Sequence, residues 1–115
     1  MIALKGNHEE IFLDQLLRRR PRFDTADWFR QGGEECLMSY GFEGQGRKWA
    51  NLVPPEHIAF LRSLRSWYGD EHGYYVHAGI PPGVHPSSAP DDELLWIRSE
   101  FINPTYAWDK VVVFG

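Results

Sequence analysis

Cysteine is almost absent from these 115 residues: Cys36 stands alone, so no internal disulfide can form. A single thiol fits a reducing compartment. Long apolar runs are missing as well. None approaches the roughly 18–20 residues a bilayer-spanning helix needs, and Met1 leads into Lys5-Gly6-Asn7 without the apolar stretch of a signal peptide. The expected location is therefore cytoplasmic, with no membrane partner. Basic charge is not in excess either. A net charge of −4 argues against nucleic acid as a partner, because phosphate backbones reward a basic surface. Internal repeats and low-complexity segments are also missing.

What remains is the composition of a folded domain, 43% hydrophobic and 24% charged, in a chain long enough to bury a core. The apolar runs Met1-Ile2-Ala3-Leu4 and Val111-Val112-Val113-Phe114 suit strands buried on both faces of a sheet. They suggest a piece of a larger sheet. Helices are predicted over Glu9–Arg20, with an apolar stripe of Ile11, Phe12, Leu13, Leu16 and Leu17 closed by Pro21, and over Pro55–Trp67, where Ile58, Leu61 and Leu64 recur every third residue. A further short helix is predicted from Asp91 through Arg98, ahead of a stop at Asn103-Pro104, and Gly73–His77 reads as a strand. Between residues 23 and 52 the pattern is irregular, with breaks at Gly32-Gly33 and Ser39-Tyr40-Gly41. That stretch suits a small cap-like insertion. Its Trp28, Phe29, Tyr40, Phe42 and Trp49 are candidates for a substrate groove, although such aromatics more often form a local core.

Chemistry concentrates where strands end. Gly6-Asn7-His8-Glu9 follows the first apolar run and feeds a helix, which sets an amide oxygen, an imidazole and a carboxylate at one strand tip. Strand tips are where open sheets assemble sites. His77, in Val76-His77-Ala78-Gly79, is a second strand-tip histidine, with small residues behind it that permit close approach. Asn, His and a further ligand would make a half-set for a hard or borderline divalent ion. The other histidines and the cysteine read differently. His72 suits a solvated turn, His57 a helix surface, His85 a loop, and Cys36 packing rather than nucleophilic attack, since no basic activator lies near it in sequence. Arg18, Arg19, Arg20 and Arg22 suit a solvated helix end more than an anion patch.

In order, Gly6-Asn7-His8-Glu9, Val76-His77-Ala78-Gly79, Leu95-Trp96-Ile97-Arg98 and Val112-Val113-Phe114-Gly115 resemble the calcineurin-like metallophosphoesterases, and more narrowly the bacterial PPP-type serine/threonine protein phosphatases. The resemblance spans the chain. It implies an α/β (α+β) fold, part of a β-sandwich flanked by helices, over residues 1–115 with the cap at about 23–52. It also implies two divalent metal ions, Mn or an Fe–Zn pair. Asn7 and His77 match ligands of the second metal, and His8 matches the general acid that protonates the leaving alkoxide. Arg98 matches the arginine that holds phosphate oxygens, and Glu9 a supporting carboxylate behind the metal ligands. The implied substrate is a phosphoserine or phosphothreonine protein or a small phosphoester, attacked by hydroxide from the metal pair.

The family's Gly-Asp-x-His-Gly and Gly-Asp-x-x-Asp-Arg-Gly motifs, which carry the first metal, occur nowhere in this sequence, and its last histidine ligand would follow Gly115. The expectation is that these residues alone are inactive and bind metal weakly. Two alternatives stand beside the leading one. A symmetrical dinucleoside-tetraphosphate hydrolase shares the Leu-Trp-Ile-Arg neighbourhood, but such enzymes tend to carry Asp where Glu9 stands. A non-catalytic fragment that binds phosphoproteins is the other.

Overall fold

A computed structural model describes residues 1–17, 23–44, 49–98, 101 and 107–115. Arg18–Arg20, Pro21, Arg22, Asn103 and Pro104 lie outside them. The described residues form a mixed helix and sheet, α+β, fold that divides into two compact units. One comprises Met1–Asn7 with Leu64–Gly115, the other His8–Ser63.

The first unit is built on three strands, β1 (Trp67–Gly69), β2 (Gly73–Val76) and β3 (Val111–Val113), in the order β1-β2-β3. β1 and β2 form an antiparallel hairpin, Trp67 opposite Val76. Asp70 makes its turn: one carboxylate oxygen accepts the backbone N–H groups of His72 and Gly73 at 2.9 and 3.0 Å. β3 lies parallel to β2, Gly73 opposite Val111. Tyr74, Val76, Ile80 and Leu94 make the core, with Trp67, Ala89, Trp108 and Val112 packed against it. Leu94 comes from helix α5, whose extent is Asp91–Trp96; three acidic residues fill its first turn, the favourable end of the helix dipole.

Three expectations are corrected here. The helix predicted through Trp67 ends at Ser63, and Trp67 opens β1. Its aromatic ring fits the three-residue helical spacing, but its backbone is claimed by the hairpin. The helix predicted through Arg98 ends at Trp96, because Ile97 turns extended (ψ 140°) while its N–H closes the last turn on the Glu93 carbonyl. The two apolar runs are not buried on both faces. Leu4 makes a single parallel bridge to Arg65, with Met1 and Ile2 exposed, and Val111, Val113 and Phe114 are exposed along β3. Met1–Leu4 forms no strand, only that isolated bridge, and on β3 the described residues bring no layer over Val111 and Val113.

The second unit is helical. α1 (Asn7–Leu17) buries Ile11, Phe12, Leu13, Gln15 and Leu16. Leu17, expected in the stripe, is exposed. Gln15 takes its place because both ends of its amide are satisfied: it donates to the Phe23 carbonyl at 2.8 Å and accepts from the Thr25 hydroxyl at 2.9 Å. α2 (Thr25–Trp28) is capped by Asp24, whose carboxylate accepts the Asp27 N–H at 2.7 Å. An irregular turn over Phe29–Gly33 leads into α3 (Glu34–Met38). The break falls at Gly32, where φ is +101°, a conformation only glycine adopts without strain. Trp28 stacks on Phe12 at 5.5 Å and meets Trp49 at 5.3 Å, while Phe29 meets Phe42 edge-on. The aromatics of the 23–52 stretch thus make a local core. α4 (Pro55–Ser63) follows, half-buried along Ile58 and Leu61 with Arg62 exposed.

A candidate half-site for a metal ion

The end of β2 is held on three sides within the first unit. The His77 carbonyl accepts the Gly115 N–H at 3.0 Å, and the Ala78 N–H donates to the Leu94 carbonyl at 3.0 Å. Gly79 has the Phe101 ring and Ile97 where a β-carbon would stand, 2.5 and 2.9 Å away. The small residues after His77 therefore serve close packing against Phe101 and Ile97. His77, half-buried, is fixed in backbone position by these contacts.

From this anchored position the His77 Nε2 lies 3.1 Å from the Oδ1 of Asn7, a residue 70 positions earlier. Asn7 reaches it because Lys5 donates to the Arg65 carbonyl at 2.7 Å and Arg65 to the Ala3 carbonyl at 3.2 Å, which pins the segment before it beside the residues leading into β1. An amide oxygen accepts only, so Nε2–H donates here. This bond ties the residue after β2 to the segment that follows Leu4. Its 3.1 Å length is that of an ordinary N–H···O bond. One imidazole nitrogen and one neutral oxygen suit a borderline divalent ion. Two donors do not complete a site, and no group of three His, Cys, Asp or Glu side chains able to hold a metal occurs among the described residues.

The remaining predicted residues are placed as follows. His8 and Glu9 follow Asn7 in the first turn of α1; His8 is exposed and Glu9 half-buried. Arg98 is exposed just past α5, and its carbonyl accepts the Phe101 N–H at 3.0 Å. Asn7 and His77 are the pair brought into direct contact; Arg98 makes no hydrogen bond to either.

The other histidines have partners of their own. His57 Nδ1 and the Tyr40 hydroxyl are hydrogen-bonded at 2.8 Å. His72 pairs with Glu71 at 3.2 Å in the exposed turn. His85 caps the short helical turn Pro86–Ser88 and meets the rings of Trp67 and Tyr74 edge-on. Burial pushes the Cys36 thiol up, away from the reactive thiolate. Sequence reasoning missed the backbone clasp of His77 by Gly115 and Leu94, which no side-chain pattern announces.

No family model matches the chain, and no curated protein or solved structure shows significant similarity to it.

Proposed function

We propose that this chain is part of a metal-dependent phosphomonoester hydrolase of the calcineurin-like class, acting on phosphoserine or phosphothreonine in proteins. The observation that carries the reading is the 3.1 Å approach of Asn7 Oδ1 and His77 Nε2. Two residues singled out as ligands of one ion meet across 70 positions of chain. The finer architecture, a β-sandwich with a cap, belongs to this proposal; the three-stranded sheet would be one part of it.

In this reading Asn7 and His77 hold one of two divalent ions, Mn or an Fe–Zn pair. When bound, the ions supply an activated water and neutralise charge on the phosphoryl oxygens. His8, exposed on the turn after Asn7, gives its proton to the departing serine oxygen, which is a poor leaving group as an alkoxide. The forked guanidinium of Arg98 takes two phosphate oxygens at once. Glu9 supports the turn that carries Asn7 and His8. The dinucleoside-tetraphosphate and phosphoprotein-docking alternatives have no structural observation that favours them.

The reading requires first-metal carboxylates that this sequence does not contain. The chain alone is therefore expected to release no phosphate from a phosphoserine peptide in Mn²⁺. Joined to a segment carrying both Gly-Asp motifs, it should turn the peptide over, in preference to a dinucleoside tetraphosphate. His8→Asn should then cost about 10²–10⁴-fold in kcat, the usual worth of a positioned acid. Turnover by the chain alone, or an unaffected His8→Asn variant, would contradict the assignment.

A further inference from the structure

A groove of about 430 Å³ runs along β1, lined by residues 64–69 and by Asp91 at the start of α5. β1 is an outer strand of the sheet, with β2 on its other side. The hydrogen-bond alternation of the hairpin shows which backbone groups face outwards. The Asp70 N–H donates to the Gly73 carbonyl at 3.0 Å. Bonded and non-bonded pairs alternate along an antiparallel ladder, so Tyr68 bonds to Tyr75. Trp67, opposite Val76, and Gly69, opposite Tyr74, therefore aim their N–H and C=O groups away from β2. Those groups have no backbone partner among the described residues.

The same edge already takes a strand two residues earlier. Arg65, in step with Trp67 and Gly69, donates to the Ala3 carbonyl at 3.2 Å and accepts the Lys5 N–H at 2.7 Å, which makes the parallel bridge to Leu4. The chain then turns into α1 at Asn7 and leaves the row open from Trp67 onwards.

The pattern selects an occupant. Outward N–H and C=O groups repeated every second residue, about 6.6 Å apart, match an extended peptide backbone. A second copy of the chain fits poorly. The two-fold register that pairs Trp67 of one copy with Gly69 of the other brings the copy's Glu71 beside Arg65, where residues 3–5 already lie. Charge adds selectivity. Arg65 and Asp91 are both exposed on the groove, and neither belongs to an ion pair among the described residues. One wall thus offers a cation and an anion to side chains of opposite sign.

We propose that the β1 edge is a docking site for an extended segment of a partner protein. The segment adds as a further strand through Trp67 and Gly69, ends or turns where Lys5 begins, and carries an acidic side chain for Arg65 and a basic one for Asp91. No metal or phosphate enters this contact.

Titration of the ¹⁵N-labelled 115-residue chain with a synthetic heptapeptide tests it, the peptide alternating valine and threonine with one glutamate and one lysine and blocked at both ends. The Trp67 and Gly69 amides should shift most and gain protection from hydrogen exchange. The same peptide with every amide N-methylated keeps its side chains, loses its donors and should not bind. Arg65→Glu leaves the backbone bonds of that residue in place. It should weaken the peptide about fivefold, the upper range for an exposed ion pair, and exchanging the peptide's glutamate for lysine should restore the loss. Shifts that are absent or centred away from β1, or equal binding of the N-methylated peptide, would overturn strand addition. An unchanged affinity in Arg65→Glu would overturn the charge selection. Protection of Trp67 and Gly69 that rises with chain concentration in the absence of peptide would give the edge to a second copy and overturn the partner assignment.

Discussion

Asp70 holds the β1–β2 turn with one carboxylate oxygen, and the His72 N–H that it accepts draws its pKa below the usual carboxylate range, with Gly73, His72 and Lys110 helping against partial desolvation. A carboxyl depressed in the folded state contributes stability above its unfolded pKa, and that contribution is lost as pH falls through the folded value. The amide proton shifts of His72 and Gly73 should thus move together in acid, with a midpoint below that of a free aspartate. Asp70→Asn keeps an acceptor oxygen and should abolish the transition; the same acid dependence in that variant would contradict the account. At this scale the sequence was most legible. The solvated turn at His72 and the strand-tip position of His77 follow from side-chain chemistry acting over a few residues. Gln15 did not, because a buried amide is intelligible only once Phe23 and Thr25 are seen to satisfy it.

Among elements, the link from β2 to α5 sets the backbone from which His77 meets Asn7. Gly79 admits the Phe101 ring, Ala78 ties to Leu94, and together they leave His77 facing Asn7. Gly79→Ala should cost about 1–3 kcal/mol in urea denaturation, the usual penalty for overpacking a core, since its new methyl would stand 2.5 Å from that ring. An unchanged midpoint would show that Phe101 moves aside freely. The strand ladder was harder to foresee than the helices. Trp67 satisfies the helical spacing of Ile58, Leu61 and Leu64, so local periodicity extends the helix; the Gly69–Gly73 turn between two aromatic pairs was the signal for a hairpin. Helix ends at Ser63 and Trp96 depend on backbone bonds that sequence period does not encode.

Over the whole molecule, what brings the candidate residues together is non-local. The approach of Asn7 to His77 spans 70 positions, and β3 reaches β2 from about 38 residues beyond it, at pairs such as Gly73 with Val111. Periodicity reports neither; the motifs placed the two candidate ligands at strand tips but left their meeting to the fold. The exposed faces of Ile2, Val111, Val113 and Phe114 likewise reflect which strands pair, a matter of topology rather than of local preference. No helix among the described residues is long and apolar enough to cross a membrane.

The central claim is that Asn7 and His77 are two ligands of one divalent ion, and paramagnetic Mn²⁺ added in small amounts to the isotopically labelled chain tests it most directly. The Asn7 side-chain amide and the His77 ring signals should broaden first, at weak affinity, and His77→Ala should remove the effect at Asn7. Broadening that begins elsewhere, or that persists at Asn7 in the His77→Ala variant, would contradict the account and leave the 3.1 Å contact as a hydrogen bond that only ties the fold together.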